Sequence, residues 1–367
     1  MKVLLIGNYR DNTGYGEACK GYARALDAVG VDVVLRPFRL SNNVAEMDET
    51  LLRLEGKSSV GADVCIQHTL PIHMSYNGHF KKNIALFASE TFGVSRTSWG
   101  AHLKSMDELW VINQQMEHEW LNIQKPIKII PHAIDLNKFK KTYEPLTNLP
   151  VQDTFVFYFI SEISRRKNLV ALLKAFHSEF KRNEPVSLVI KTNKFGMNDV
   201  ECKDYVVDMC NMVKKNLKLL PEDKYKKEII ITQRLTDEQM LRLHATGNCL
   251  VAPSYAEAWN LAASDSVGVG NPVICTDIVG QFEFIEDYVN GIKVDSTVVP
   301  CFGMMDTFQE LYSANEYWCD ININTLREAM RQLFEYPKLI RKEDCQKSLD
   351  KYSYENIGKL MLEALEC

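Results

Sequence analysis

The chain has 367 residues, of which 46% are hydrophobic and 25% are charged, and its formal net charge is −5. These values are typical of globular proteins and argue against a disordered, collagen-like or coiled-coil chain. The longest apolar run, Phe155 to Ile160, is far shorter than the ~20 residues that a membrane-spanning helix needs. Neither half of the chain is basic enough to indicate nucleic-acid binding.

The ten cysteines are scattered and include no Cys-x-x-Cys pair, which indicates reduced thiols rather than disulfides or a zinc site. The apolar run Val3 to Ile6 is too short for the hydrophobic region of a signal peptide. We therefore expect a cytoplasmic protein without a transmembrane segment. Peripheral contact with a membrane stays open, since Lys81, Lys82 and the amphipathic stretch Leu103 to Leu121 suit either a membrane surface or a solvated face.

Short apolar strands alternate with helical stretches in the first part of the chain. The first strand leads into a glycine-containing loop, Gly7 to Gly16, and then into a helix that Gly30 terminates. This order is the βαβ unit of a parallel sheet, and strands without polar alternation are expected where helices cover both faces. The predicted strands are Val3 to Ile6, Val33 to Leu35, Val64 to Ile66, Ile84 to Phe87, Leu109 to Ile112 and Ile127 to Ile130.

The polar segment Lys140 to Asp153, which contains Pro145 and Pro150, is the best candidate for a linker. The alternation of strands and helices restarts after it. The predicted strands are Phe155 to Ile160, Ser187 to Ile190, Ile229 to Thr232, Cys249 to Val251 and Val273 to Cys275. The predicted helices are Leu169 to Phe180, residues 203–218, Asp237 to Ala245, Ala258 to Val269 and most of Ile323 to Cys367.

This pattern predicts an α/β protein with two doubly wound, Rossmann-like domains in series. The expected units are residues 1–145, residues 151–350, and a C-terminal helix at 351–367 that packs back on the first domain. Sheets of this kind bind ligands beyond the carboxyl ends of their strands, so the expected site is the cleft between the domains.

The first candidate for ligand binding is the loop with Gly14, Tyr15 and Gly16. Glycines between a strand and a helix expose backbone N–H groups at the positive end of the helix dipole, which suits phosphate. The spacing is not Gly-x-Gly-x-x-Gly, which argues against a dinucleotide-dependent dehydrogenase. The alternative is a tight turn that needs a positive φ at Gly14 or Gly16.

The second candidate lies between Ser254 and Leu261, at the predicted start of the helix from Ala258. In a regular helix Glu257 and Asp265 are about 12 Å apart along the axis, with first-turn amides between them. Carboxylates accept hydrogen bonds from the sugar and ribose hydroxyls of a nucleotide-diphosphate sugar, and the amides suit its diphosphate. The alternative is a helix-capping Glu257 and a solvated Asp265. The three amides are those of Trp259, Asn260 and Leu261.

The third candidate is the basic run Arg165-Arg166-Lys167, which follows the first strand of the second domain. Cations at this position are able to neutralise a diphosphate and stabilise it as a leaving group. The alternative is a solvated basic turn.

Together and in this order, these motifs resemble the retaining glycosyltransferases of family 4, which have the GT-B fold. Ile130 to Asp135, followed by Phe139, is similar to the family's Pro-His-Gly-Val-Asp…Phe motif at the domain crossover. The pair Arg166-Lys167 is similar to its diphosphate-binding basic pair. Glu257 with Asp265 is similar to its signature of two glutamates separated by seven residues.

Two later stretches also resemble the family, Asn271 to Ile274 and Gly280-x-x-Glu283-x-Ile285. The chain also departs from the family pattern. Its second signature acid is an aspartate, Asp265, instead of a glutamate, and two glycines near the first acid are replaced by Ala258 and Asn260. Ser161-Glu162-Ile163 stands where the family has Gly-Arg-Leu.

The resemblance implies that the second domain binds the donor and the first domain the acceptor. It assigns the donor-sugar hydroxyls to Glu257, the ribose to Asp265 and the diphosphate to Arg166 and Lys167. Gly14 to Gly16 then line the donor phosphates or the acceptor. Glu257, Lys167 and Glu90 are the expected catalytic residues, and the expected acceptor or cleft residues are His68, Glu90 and His132. The alternative for His68 is a hydrogen-bonded core histidine.

We therefore expect a retaining glycosyltransferase, hexosyl or pentosyl, that uses a nucleotide-diphosphate sugar as co-substrate. The resemblance favours UDP or GDP. The chain has no Asp-x-Asp motif, which argues against a metal-chelating transferase, and no cofactor is expected. The acceptor stays open between a polysaccharide, a lipid, a small metabolite, a protein and a nucleic-acid base, and so does the oligomeric state. The alternatives are a sugar-nucleotide epimerase or phosphorylase of the same fold, or a nucleotide-sugar-binding protein without catalysis.

Overall fold

The structure is a computed structural model, which describes residues 1–42, 44–278, 282–305 and 310–366. Two six-stranded parallel sheets follow one another along the chain, as the sequence pattern predicts. Gly280 of the family-like motif lies outside the described residues.

The first sheet has the strand order β2-β1-β3-β4-β5-β6, with every neighbouring pair parallel. Its order reverses between β1 and β3, so the carboxyl ends of these two strands open onto the ligand-binding edge. The strands are β1 (Lys2–Gly7), β2 (Asp32–Pro37), β3 (Val64–His68), β4 (Lys82–Leu86), β5 (Glu108–Val111) and β6 (Ile127–Ile129). The helices are α1 (Gly14–Ala28), α2 (Glu49–Gly56), α3 (Trp99–Lys104) and α4 (Gln114–Trp120).

The second sheet has the order β12-β11-β10-β7-β8-β9 and reverses between β7 and β10. Every residue of β10 and β11 is buried, as expected for strands covered on both faces. The strands are β7 (Phe155–Glu162), β8 (Val186–Asn193), β9 (Ile229–Ile231), β10 (Cys249–Ala252), β11 (Val273–Thr276) and β12 (Gly291–Val294). The helices are α5 (Leu169–Glu179), α6 (Asp199–Leu217), α7 (Asp237–Thr246), α8 (Leu261–Val269), α9 (Ile323–Glu335) and α10 (Lys342–Lys347).

An antiparallel hairpin of β13 (Ser296–Pro300) and β14 (Tyr317–Ile321) lies between β12 and α9. The apolar pattern of the sequence does not predict this hairpin, because apolar residues of its strands, such as Val298, are exposed and the two strands are far apart along the chain. No helix in the described ranges is both long and apolar enough to cross a bilayer.

The last helix, α11 (Tyr354–Glu366), lies against α1 of the first sheet. The chain returns there because the amide of Ile134 donates to the carbonyl of Tyr352 at 2.8 Å, where the segments run parallel. Gly358 makes the close helix contact possible. A Cβ at that position would lie 2.2 Å from the carbonyl oxygen of Ala25.

We expect Gly358→Ala to destabilise the protein, because the new methyl group meets backbone that cannot rotate away. Overpacking of this kind costs about 1–3 kcal/mol, so the midpoint of thermal unfolding should fall by several degrees. Gly56→Ala is the matched control, since a Cβ there meets nothing within 4 Å. Equal midpoints for the two variants would contradict the close approach of α11 to α1.

Candidate active site

A buried carboxylate, Glu257, lies at the reversal point of the second sheet and contacts two cations. Lys167 Nζ lies 2.6 Å from Glu257 Oε1 and 2.9 Å from Oε2, and Arg166 Nη1 lies 3.0 Å from Oε2. The Ser254 hydroxyl donates to Oε1 at 2.8 Å, and the Asn260 amide approaches the same oxygen at 3.3 Å. The Glu257 side chain is only 4% exposed, so these donors replace the water that the carboxylate loses.

The two loops that carry this cluster follow the strands β7 and β10. Beyond β7, a short helical turn, Arg165–Lys167, presents its side chains and ends at Asn168, whose φ is +54°. Beyond β10, the amide of Tyr255 donates to the carbonyl of Arg166 at 2.8 Å, which joins the two loops. The strand order therefore brings Arg166, Lys167 and Glu257 together, although about 90 residues separate them along the chain.

The cluster keeps Glu257 ionised. Burial raises the pKa of this carboxyl, but the charges of Lys167 and Arg166 outweigh burial and lower the pKa from 4.5 to about 2. Burial, together with the charge of Arg166, lowers the pKa of Lys167. Glu257 is therefore a hydrogen-bond acceptor at neutral pH and not a proton donor.

The first domain contributes a second carboxylate, Glu90, from the loop after β4. Its Oε1 lies 3.4 Å from Arg166 Nη2, and its Oε2 accepts a hydrogen bond from the Tyr312 hydroxyl at 2.9 Å. The guanidinium of Arg166 thus lies between a carboxylate of each domain. Burial opposes the charged form of Arg166, but Glu90 and Glu257 raise its pKa above the ordinary value.

The helix after Glu257 begins later than predicted, at Leu261 instead of Ala258. Asn260 is its N-cap: the backbone has φ +75°, and the side chain accepts from the amide of Ala263 at 3.1 Å. Trp259 and Asn260 therefore precede the helix, and the prediction that their amides belong to its first turn is wrong. Helix geometry instead leaves the amides of Leu261 and Ala262 without an acceptor inside α8.

Asp265 lies one turn beyond Leu261 and forms an ion pair with Lys138, whose Nζ lies 2.6 Å from Asp265 Oδ1. Burial disfavours the charge of Lys138, but Asp265 raises its pKa above the ordinary value. Because Glu257 precedes α8, the predicted arrangement of Glu257 and Asp265 on one regular helix is also wrong. Lys138 belongs to the crossover turn Leu136–Lys140, and nothing in its sequence marks it as this partner.

The glycine loop opens α1, with Thr13 as its N-cap. The Gly16 amide donates to Thr13 Oγ1 at 3.1 Å, and a Cβ on Gly16 would lie 1.9 Å from the carbonyl oxygen of Asp11. Close backbone contact explains Gly16, whose φ is not positive. A Cβ on Gly14 would meet Leu261 at 4.0 Å, so the start of α1 faces the start of α8. The Tyr15 hydroxyl reaches the backbone of Ala88 beyond β4.

His68 and His132 lie in a row of rings with Tyr22 between them. The centroid of the Tyr22 ring lies 5.3 Å from that of His68 and 5.6 Å from that of His132. The Tyr22 hydroxyl is 2.8 Å from His132 Nδ1. The His132 ring lies 5.5 Å from that of Trp259. Burial lowers the pKa of both histidines to about 3, so both are neutral at physiological pH.

His68 is not the hydrogen-bonded core histidine that the alternative expects. Its side chain is buried at the carboxyl end of β3, yet neither ring nitrogen has a hydrogen-bond partner among the described residues. The same holds for the indole N–H of Trp259 and the hydroxyl of Thr69. Buried polar atoms in native proteins are normally paired, so this part of the cleft has unused hydrogen-bonding capacity.

Sequence comparison identifies the segment that carries the cluster. Residues 147–300 match the family described as "Glycosyl transferases group 1". The strands of the second sheet thus lie within the segment that resembles group 1 glycosyltransferases. The match covers less than half of the chain, and it includes Arg166, Lys167, Glu257 and Asp265.

Two curated proteins resemble part of the chain. Sucrose synthase 6 of Arabidopsis thaliana is 25% identical over 196 residues, which are 51% of this chain and 20% of that protein. An uncharacterized glycosyltransferase of Methanocaldococcus jannaschii is 23% identical over 168 residues, 45% of this chain and 39% of that protein. The matches thus span a fifth and two fifths of these relatives.

Solved structures match the whole chain. Sucrose-phosphate synthase from Thermosynechococcus elongatus has a TM-score of 0.67 at 16% identity, with 100% of this chain and 98% of that chain covered. Anabaena HepE in complex with UDP-glucose has a TM-score of 0.66 at 14% identity, with 100% and 99% covered. The fold is the GT-B fold, as predicted, with two Rossmann-like domains on either side of a cleft.

The pKa of Glu257 predicts how the cluster responds to acid. A carboxyl whose folded pKa is depressed stabilises the protein above its unfolded pKa, and the contribution is lost as pH falls towards the folded value. Wild type should therefore unfold at a higher temperature than Glu257→Gln at pH 7. The difference should shrink as pH falls from about 4.5 towards about 2. Thermal unfolding of both proteins across this range tests the assignment, and a constant difference would contradict it.

Proposed function

We propose that the protein is a retaining, metal-independent glycosyltransferase that moves a sugar from a nucleotide-diphosphate sugar to an acceptor hydroxyl. The observation that carries the proposal is the contact of buried Glu257 with Lys167 and Arg166, inside the segment that matches the group 1 family. Solved neighbours that bind UDP or UDP-glucose support a donor of this class. We propose UDP or GDP as its nucleotide, on the family resemblance of the sequence.

The donor binds mainly to residues 151–350. Glu257 stays ionised and accepts hydrogen bonds from hydroxyls of the donor sugar. The first-turn amides of Leu261 and Ala262 point towards the diphosphate at the positive end of the α8 dipole. Asp265, close to the crossover, accepts hydrogen bonds from the ribose.

The acceptor binds mainly to residues 1–145, with Glu90, His68 and His132 on its side of the cleft. The acceptor oxygen forms a bond to the anomeric carbon, the bond from that carbon to the phosphate oxygen breaks, and the acceptor proton passes to the departing phosphate. Attack on the face from which the phosphate leaves retains the configuration. Lys167 and Arg166 stabilise the charge that develops on the diphosphate, without a metal ion.

A panel of sugar nucleotides tests the donor class. Ligand binding stabilises the folded protein more as the ratio of ligand concentration to Kd rises, so at equal concentrations the most tightly bound of the UDP-, GDP- and ADP-sugars should raise the midpoint of thermal unfolding most. The donor that stabilises most should then be turned over with an acceptor panel of glycans, lipids and small alcohols, with and without EDTA. Stabilisation without hydrolysis or transfer would indicate a binding protein, and conversion without an acceptor would indicate an epimerase.

Glu257→Gln should reduce turnover on the order of tenfold to thousandfold, because it removes the charge that orients the donor and organises both cations. Glu228→Gln is the matched control. Glu228 is also a buried carboxylate, paired with His177 and Lys214. It directly precedes β9, however, and so lies at the amino ends of the strands, opposite the loops that carry Glu257 and its partners. Both variants should lose stability, and a similar loss of turnover in both would refute the role of Glu257.

Asp265→Asn should weaken UDP binding by about tenfold, the usual effect of losing a hydrogen bond to a charged group. Lys138→Met also breaks the ion pair but keeps the carboxylate, so its effect on UDP binding should be much smaller. Titration calorimetry with UDP distinguishes the two. Equal losses of affinity would show that Asp265 only maintains the ion pair with Lys138.

A further inference from the structure

The hairpin after β12 forms a distinct element, here named the clasp, which comprises residues 296–305 and 310–321. It is anchored on the second domain beside the active-site loop. The amide of Cys319 donates to the carbonyl of Tyr255 at 2.9 Å, and the rings of Tyr255 and Trp318 stack at 4.7 Å.

The clasp also contacts the first domain, through the part of the loop after β4 that starts at Glu90. Phe92 and Tyr317 exchange two backbone hydrogen bonds, of 2.9 and 2.8 Å. The Thr91 hydroxyl donates to buried Glu316. Further along the loop, the amide of Ser98 donates to Glu310 Oε2 at 3.1 Å. The clasp, which is anchored on the second domain, thus pairs with a loop of the first domain as two antiparallel strands do.

Tyr312 is the clasp residue that reaches the candidate active site. Its hydroxyl donates to Glu90 Oε2, while Glu90 Oε1 faces Arg166. The backbone of Tyr312 has φ +57°, the left-handed conformation that bulky residues rarely adopt. Such strain persists only where surrounding contacts enforce it, and it is concentrated at functional positions.

We propose that Tyr312 is a positioning residue, which holds the Glu90 carboxylate against Arg166 when the clasp joins the two domains. This inference rests on the proposed transferase function, in which the Glu90 carboxylate lies in the cleft between donor and acceptor. The Tyr312 hydroxyl holds that carboxylate in one orientation. Removal of the phenolic hydroxyl takes away one hydrogen-bond donor to the Glu90 carboxylate but leaves Lys167, Glu257 and α8 in place. Donor affinity should therefore change little, while the rate of transfer falls.

Tyr312→Phe is the direct test, and Tyr336→Phe is the matched control because Tyr336 is an exposed residue at the end of α9. With UDP-glucose, or whichever panel donor is turned over, kcat should fall by about three- to thirtyfold with KM for the donor within about twofold. In a Glu90→Ala background, which removes the acceptor of the Tyr312 hydroxyl, Tyr312→Phe should have no further effect, since the two residues act as one unit. Additive losses, or an unchanged kcat, would overturn the positioning role.

Hydrogen exchange tests the contact without any substrate. Amides of Phe92 and Tyr317 should be protected in the wild type, and peptides covering 90–98 should exchange faster in Tyr312→Phe than in Tyr336→Phe. Unchanged exchange would overturn the inference whatever the turnover. If no donor is turned over by the wild type, the proposed function fails and the positioning role fails with it, while faster exchange would still establish the clasp contact.

Discussion

The candidate site depends on one interaction, the contact of the buried Glu257 carboxylate with Lys167 and Arg166. A charge as buried as Glu257 is tolerated only when it is paired and hydrogen-bonded. Its partners are available because the second sheet reverses between β7 and β10, which places the loops after these strands side by side. Removing either partner would leave an uncompensated charge in a buried site. The contact of Glu257 with Lys167 and Arg166 thus links the topology of the sheet to the chemistry at the carboxyl ends of its strands.

The first domain completes this arrangement through Glu90. Arg166 lies between Glu257 and Glu90, so the relative position of the two domains determines the surroundings of its guanidinium. The clasp and the return of α11 onto α1 both connect the two domains. Specific hydrogen bonds, such as those between Phe92 and Tyr317, therefore help to hold the domains in this relative position.

The sequence predicted the fold, and it placed Arg166, Lys167, Glu90 and Glu257 after strands of the two parallel sheets. The structure brings these four side chains together, because loops at the carboxyl ends of parallel strands converge whatever lies between them. Their roles stay predictions. The sequence failed where local geometry depends on one residue: Asn260 caps α8 with φ +75°, and no pattern of apolar residues reports that. It also failed for long-range partners. Lys138 meets Asp265 across 127 residues, and Tyr312 meets Glu90 across 222. The pattern Ser254-x-x-Glu257 was a usable signal, since it brings a hydroxyl into reach of the carboxylate.

The balance of charge at the cluster limits how the anionic donor of the proposed function would be bound. Arg166 and Lys167 carry two positive charges, and Glu257 and Glu90 carry two negative charges, so the four side chains together are neutral. In the function that we propose, attraction for a diphosphate would therefore come from orientation rather than from excess charge, since the first-turn amides of α8 face the opening of α1. If a diphosphate takes the place of Glu90 beside Arg166, it exchanges one anionic partner for another at little cost in desolvation. Such an exchange would couple binding of the proposed donor to the position of Glu90, and hence to the hydrogen bond between Glu90 and Tyr312 of the clasp.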